Sequence, residues 1–166
     1  FIEQSFATIS ASASNAAMCH YHSSDQTNAA ITRAHFYLND SGGQYHNGTT
    51  DATRTLAFGP LSAQCRLHYT AVLKGFLSLI SLQFPSGTCG HQIDAFARRG
   101  LWELGLDFDH GTGHGVGHFL SVHEHPHRFG KTVNAHGFEP GVVVAIEPGY
   151  YREGAFGLRV ENQVGV

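Results

Sequence analysis

Helix-type periodicity is confined to one part of this chain. Between Ser62 and Gln83 the apolar residues Cys65, Val72, Leu73, Phe76, Leu79 and Ile80 recur at steps of three and four. After the break FPSGT the stretch HQIDAFARRGLWELG repeats the pattern with Ile93, Phe96, Ala97, Leu101 and Leu104. Ser62 is placed to cap the first helix, with Pro85 beyond its end, and Thr88 to cap the second. Strand-type sequence lies on either side. ITRAHFYLNDSGGQY and GTTDATRTLAFG precede the helices, and the pair Asn47-Gly48 between them signals a hairpin turn. SVHEH, GVVVAIEPGYY and FGLRVENQVGV follow, while residues 126–137 carry few apolar side chains and read as an exposed loop. Two adjacent helices between two groups of antiparallel strands define an α+β arrangement.

At 166 residues and 42% apolar content the chain can bury one sizeable core, so a single domain is expected. Its net charge of -3, with Lys and Arg scattered, leaves no basic face for a phosphate backbone, which argues against nucleic acid. No apolar run approaches the ~20 residues that cross a bilayer, so no membrane association is expected. Three widely spaced cysteines, Cys19, Cys65 and Cys89, form no C-x-x-C pair and suit reduced, buried thiols in a cytoplasmic protein. The chain opens at Phe1 in mid-phrase, which suggests a fragment of a longer protein.

The stretch HGTGHGVGHFLSVHEHPH, residues 110–127, holds six histidines and four glycines and little that builds a core. It invites a chemical reading, and so do four acids. Asp40 and Asp51 flank the expected hairpin turn and can face one another. Strand alternation puts Val143, Ala145 and Glu147 on one face, and Arg159 with Glu161 on one face of the next strand. Each acid alone is read most simply as a solvated or salt-bridged residue. Four carboxylates converging on one imidazole would repel unless cations neutralised them, and two divalent ions carry the matching charge. Hard oxygen ligands with a single His suit Mn²⁺, Co²⁺ or Zn²⁺.

The stretches DSGGQY, GTTDATRT, HGTGHGVG, VHE, EPGYY and LRVEN, in this order and at these separations, closely resemble the catalytic domain of the long-form Xaa-Pro aminopeptidases of peptidase family M24. The resemblance runs from about Phe6 to the C-terminus. It implies an α+β pita-bread fold, present here as an incomplete piece, with residues 1–166 forming a C-terminal catalytic domain whose upstream domains are absent. It also implies hydrolysis of an N-terminal Xaa-Pro bond by hydroxide activated at two metal ions, most simply Mn²⁺, in a protein that is a homodimer at full length. By the same resemblance the metal ligands are Asp40, Asp51, His114, Glu147 and Glu161, with Asp51 and Glu161 bridging. Metal-free relatives of the same fold, creatinase among them, lack this set.

His20, His110 and His123 match family histidines that surround the substrate and move protons, a task suited to a ring whose pKa is about 6.5. Glu147 is the expected acceptor of the water's proton. His123 and His110 are expected to steady the oxyanion or the proline side, His20 to seat the peptide, and Arg159 to pair with the cluster and face substrate. His118, His125 and His127 have no counterpart among the motifs and read as surface or loop residues; where His125 stands the family more often has Gly. Two other readings remain, a prolidase acting on Xaa-Pro dipeptides and a catalytically inert peptide-binding domain. Cleavage of a tripeptide against a dipeptide separates the first, and lack of metal marks the second.

Overall fold

The computed structural model describes residues 1–166. The chain forms β1 (Glu3–Gln4) and β2 (Ile9–Ser12), a 3-10 turn (Ala13–Ala17), and then β3 (Phe36–Ser41), β4 (Gly43–Tyr45), β5 (Gly48–Thr49) and β6 (Ala52–Ala57). Helices α1 (Ala63–Ile80) and α2 (Gly90–Trp102) follow. The rest is strand: β7 (Gly113–Gly115), β8 (Glu124–Phe129), β9 (Val143–Ile146), β10 (Gly149–Arg152), β11 (Phe156–Arg159) and β12 (Asn162–Gly165). Sheets β2-β3-β6 and β12-β9-β7-β8 carry the frame, the short set β1-β4-β5 extends the first, and β10-β11 is a separate hairpin. Every pairing is antiparallel.

In α1 the expected Val72, Phe76 and Leu79 are buried and Cys65 and Leu73 half-buried, whereas Ile80 in the last turn is exposed. Ser62 caps the helix, its side chain accepting from the Cys65 amide at 3.1 Å, and His68, Ala71, Val72, Gly75, Phe76 and Leu79 form the buried stripe. α2 departs from expectation twice. Cys89, not Thr88, is the cap residue, because the Gln92 side chain reaches back to the Cys89 amide at 2.7 Å while the Thr88 hydroxyl turns to the Pro85 carbonyl. Its buried stripe is Ile93, Asp94, Ala97, Arg98 and Leu101, whereas Phe96 and Leu104 are exposed. Two charged residues therefore occupy a stripe that periodicity assigns to apolar ones. The helices touch backbone to backbone: a Cβ on Gly75 would lie 2.0 Å from the Ala97 carbonyl oxygen.

Phe76, Leu79, Ile93 and Ala97 of the helices pack on Phe129, Phe138, Val144 and Ile146, and Ala71, Val72 and Leu101 pack on Phe36, Phe108, Phe156 and Leu158. The helix pair thus backs both sheet systems. On β9 Val144 and Ile146 face the helices, which leaves Ala145 and then Glu147 with the opposite parity.

β3 and β6 pair as expected, with Asp40 opposite Thr53. The hairpin tip is shifted by one residue, because Tyr45 pairs with Gly48 and the turn is His46-Asn47. None of these residues has positive φ, so the backbone requirement that favours Asn-Gly in a type I′ turn does not arise. The expected loop over 126–137 begins later: Pro126 to Phe129 complete β8, and Phe129 is core.

Candidate metal centre and substrate cleft

Residues from five strands or their ends converge. Asp40 comes from β3 and Asp51 from the residue before β6, His114 from β7, and Glu147 and Glu161 from the residues just beyond β9 and β11. His114 pairs with Ala145 on β9, two residues before Glu147. Three triads each bring one ligand atom per residue within 4.8 Å of one another: Asp40, Asp51 and Glu161; His114, Glu147 and Glu161; Asp51, His114 and His123. Glu161, Asp51 and His114 each belong to two triads, so neighbouring candidate cation positions share ligand atoms.

The unpaired atoms test whether the residues suit cations. The His114 Nδ1 donates to the Gly115 carbonyl at 2.8 Å, which turns Nε2 toward Asp51 Oδ2 at 3.4 Å and Glu147 Oε1 at 3.3 Å. That Nε2 and Asp40 Oδ1 are buried without any hydrogen-bond partner. A buried polar atom left without a partner costs about 1–3 kcal/mol, so such atoms mark where a missing partner belongs. The electrostatic balance of the cluster points the same way. Burial, then the charges of Glu147, Asp51 and Asp40, raise Glu161 well above the usual carboxylate range against the opposing bond from Thr53. Burial also raises Asp40 despite Arg159. Burial opposes charging of His114, but the Asp51 and Glu147 carboxylates outweigh it and the ring is pushed up to about 10. These carboxylates need more positive charge than the chain itself supplies, and oxygen donors with one imidazole suit two hard divalent cations.

Besides the His114 ring, one guanidinium serves the cluster. Arg159 is 3% exposed; its Nη2 donates to Asp40 Oδ2 at 2.6 Å and its Nε to the Thr53 hydroxyl at 3.0 Å, and that hydroxyl donates to Glu161 Oε2 at 2.6 Å. Thr53 and Thr55 lie two apart on β6, and Thr55 exchanges hydrogen bonds with the Arg159 backbone. Alternation along ATRT thus stitches β6 to β11. Arg159 Nη1 donates to the Tyr151 hydroxyl at 2.8 Å, and Tyr151 meets His110 Nε2 at 2.8 Å. The His110 Nδ1 must donate to the Gly111 carbonyl, 2.7 Å away, so Nε2 accepts from Tyr151. Burial lowers the His110 pKa, with Glu147 opposing, and the ring is neutral at pH 7.

His110 therefore has both nitrogens committed within the protein. His20 and His123 do not; both are exposed on the cleft, and the His123 ring stands edge-on to His114 at 4.4 Å between centroids. The cleft has a volume of about 700 Å³ and is lined by the five clustered residues, the three histidines and Arg159. His125, read from sequence as a surface residue, also reaches its wall. His118 is exposed, bonded to the His46 carbonyl, whereas His127 is half-buried with its ring stacked on Phe138 and is not a loop residue. The sequence reading assigned no part to Tyr151 or Thr53, nor to Asp94, Arg98 and Thr112 behind the site. For the last group a signal was present, a charged i, i+4 pair inside the apolar stripe of α2.

Fold and cleft define a class in which an antiparallel α+β frame with two backing helices carries a carboxylate and imidazole cluster suited to two divalent cations. The chain belongs to metallopeptidase family M24, whose profile matches residues 1–166. It is 49% identical over 162 residues to the probable Xaa-Pro aminopeptidase P of Laccaria bicolor, covering 96% of this chain and 25% of the relative. It is 49% identical over 158 residues to human Xaa-Pro aminopeptidase 2, covering 95% and 23%. Among solved structures, the X-prolyl aminopeptidase of Caenorhabditis elegans, described as a cytosolic enzyme with a di-nuclear active site, superposes with a TM-score of 0.95 at 42% identity over 98% of this chain and 27% of that one. Prolidase from Pyrococcus furiosus gives 0.87 at 32% identity over 98% and 47%. The fold is the α+β pita-bread arrangement, and the chain spans about a quarter of the length of the curated relatives it matches.

Proposed function

We propose that this chain is the catalytic part of an Xaa-Pro aminopeptidase, a hydrolase that removes the N-terminal residue from peptides with proline second. The observation that carries the reading is that Asp51, Glu147 and Glu161 gather at His114, whose Nε2 has no hydrogen-bond partner, while Asp40, whose Oδ1 is equally unpartnered, joins through Asp51 and Glu161. The names of the relatives supply the substrate class. In this reading Asp40, Asp51, His114, Glu147 and Glu161 hold two divalent ions, and manganese is the preferred metal for an oxygen-rich set. Two such ions lower the pKa of a water molecule and polarise the scissile carbonyl. The cytoplasm is the proposed compartment, supported by the description of the nematode neighbour and by three free cysteines. Assembly as a homodimer at full length rests on the family resemblance alone.

The chain's own groups divide the remaining work. Glu147 is the most open carboxylate of the cluster, its side chain 19% exposed against 5% for Asp51 and 10% for Asp40. His114, His110 and Arg159 outweigh burial and hold its pKa below the usual value. It is thus ionised at neutral pH and faces the cleft, which suits it to accept a proton and pass it to the leaving amine. His123 and His20 have ring edges free to bind the peptide or the developing oxyanion. His110 contributes through Tyr151 and Arg159 to the fixed frame behind the substrate. The test is metal analysis of the purified full-length protein, followed by turnover of Arg-Pro-Pro against an Xaa-Pro dipeptide. Two metal ions and preference for the tripeptide support the reading. Dipeptide preference indicates a prolidase, and absence of metal with the acids intact refutes the enzyme.

A further inference from the structure

Arg98 has no place in the chemistry described above, yet it is 1% exposed and every arm of its guanidinium is bonded. Its Nε donates to Asp94 Oδ2 at 2.6 Å, one turn back on α2. Nη1 donates to Asp107 Oδ1 at 2.8 Å and to the Phe108 carbonyl at 2.5 Å. Nη2 donates to the His110 carbonyl at 3.0 Å, with the Thr112 hydroxyl at 3.4 Å. The guanidinium plane lies over the Phe108 ring, 3.9 Å from its centroid. The second oxygen of Asp94 receives the Thr112 hydroxyl.

A buried ion pair is a poor source of stability, since apolar residues of similar volume often serve as well. The positions of the acceptors suggest another use. One planar fork grips the segment Asp107 to Thr112 at four points. Within that segment lies His110, and only Gly113 separates the segment from His114 on β7. The Thr112 carbonyl accepts the Glu147 amide at 2.7 Å, which ties the segment to the residue that follows β9. Three candidate site residues on two separate stretches of backbone are thereby referred to one side chain on α2.

We propose that Arg98, together with Asp94 and Thr112, is the positioning group of the metal centre: its fork sets where His110, His114 and Glu147 stand relative to one another, and so sets metal affinity. The proposal rests on the functional reading given above. Lysine at this position keeps the charge but has three donors on a single nitrogen and no plane, and it cannot span acceptors that lie on different sides of a guanidinium. Groups behind metal ligands typically change metal affinity about 10- to 100-fold when removed.

The experiment uses the full-length protein stripped of metal and titrated with Co²⁺, read by calorimetry and by the visible absorption of the bound ion. Arg98→Lys is expected to raise the Kd for cobalt by about 10-fold or more and to shift the absorption bands, with far-UV circular dichroism retained. Thr112→Val, which deletes only the hydroxyl, is expected to move both in the same direction. Arg99→Ala is the control, because Arg99 is exposed and bonded only to Glu103 on its own helix. A purely structural role would lower the melting temperature of Arg98→Lys and leave the Kd and spectrum of the folded protein unchanged, and that result overturns the proposal. If Arg98→Lys does not fold, Thr112→Val decides, and wild-type affinity in that variant overturns it as well. Wild-type protein that binds no cobalt refutes the functional reading and this inference with it, whereas tight wild-type binding with unaltered variants refutes the inference alone.

Discussion

Replacing Arg159 by Met probes whether the cations and the arginine share the task of neutralising the cluster. Arg159 is almost fully buried and pairs with Asp40 at 2.6 Å, so its removal leaves a buried carboxylate with no partner. Breaking such a pair costs about 3–5 kcal/mol. Asp40 can escape part of this by taking up a proton, since burial already raises its pKa. A carboxyl with a raised folded pKa costs no stability when the pH is low enough to protonate it, and costs progressively more as the pH climbs above the ordinary carboxylate range. Each pH unit between the unfolded and the raised folded pKa is worth about 1.4 kcal/mol for one group, so the defect is expected to be larger at pH 8 than at pH 6. Bound divalent ions would supply positive charge beside Asp40 and reduce both the defect and its pH dependence. Guanidinium chloride unfolding of wild type and Arg159→Met, at the two pH values and with EDTA or Mn²⁺, gives the comparison. The expected order is a large defect at pH 8 in EDTA, a smaller one at pH 6, and the smallest with Mn²⁺. Equal destabilisation under all four conditions would show that Arg159 acts through packing and not through charge.

Other outcomes follow from particular contacts. Asp51 belongs to two of the three candidate ligand triads, so Asp51→Asn is expected to lose both ions and not one, by elemental analysis. His123→Ala should lower kcat by roughly 10²-fold with metal content retained, while His125→Ala has little effect; a fall in metal content would instead make His123 a ligand. Gly75→Ala drives a Cβ to 2.0 Å from the Ala97 carbonyl oxygen and should destabilise the helix pair by about 1–3 kcal/mol or more, seen as a lowered denaturation midpoint. A wild-type midpoint would mean that the helices can separate without loss.

Local order was legible wherever one short-range interaction decides the outcome. The Ser62 cap, the stripe of α1 and the β3-β6 pairing each depend on residues close in sequence, or on a period the chain repeats several times. The six motifs, as a resemblance, also pointed to the five residues that cluster. Prediction failed where another partner, local or distant, took the place that residue type or period alone assigned. Thr88 was the better cap by type, but the Gln92 side chain satisfies the Cys89 amide and the Pro85 carbonyl takes the threonine hydroxyl. Phe96 had the right period for α2, yet its place in the stripe went to Asp94 and Arg98, because the segment Asp107 to Thr112 presents carbonyls there that need donors. Sequence by itself determined the class of fold and the identity of the chemically capable side chains, since periodicity and donor type are properties of neighbouring residues. Tertiary structure alone decided that His110 is bound to Tyr151 while His123 stays free, that Thr53 joins Arg159 to Glu161, and that Arg98 holds the site from behind. Those outcomes depend on which donor finds which acceptor across separations from 12 to 108 residues of chain, and no local pattern encodes that match.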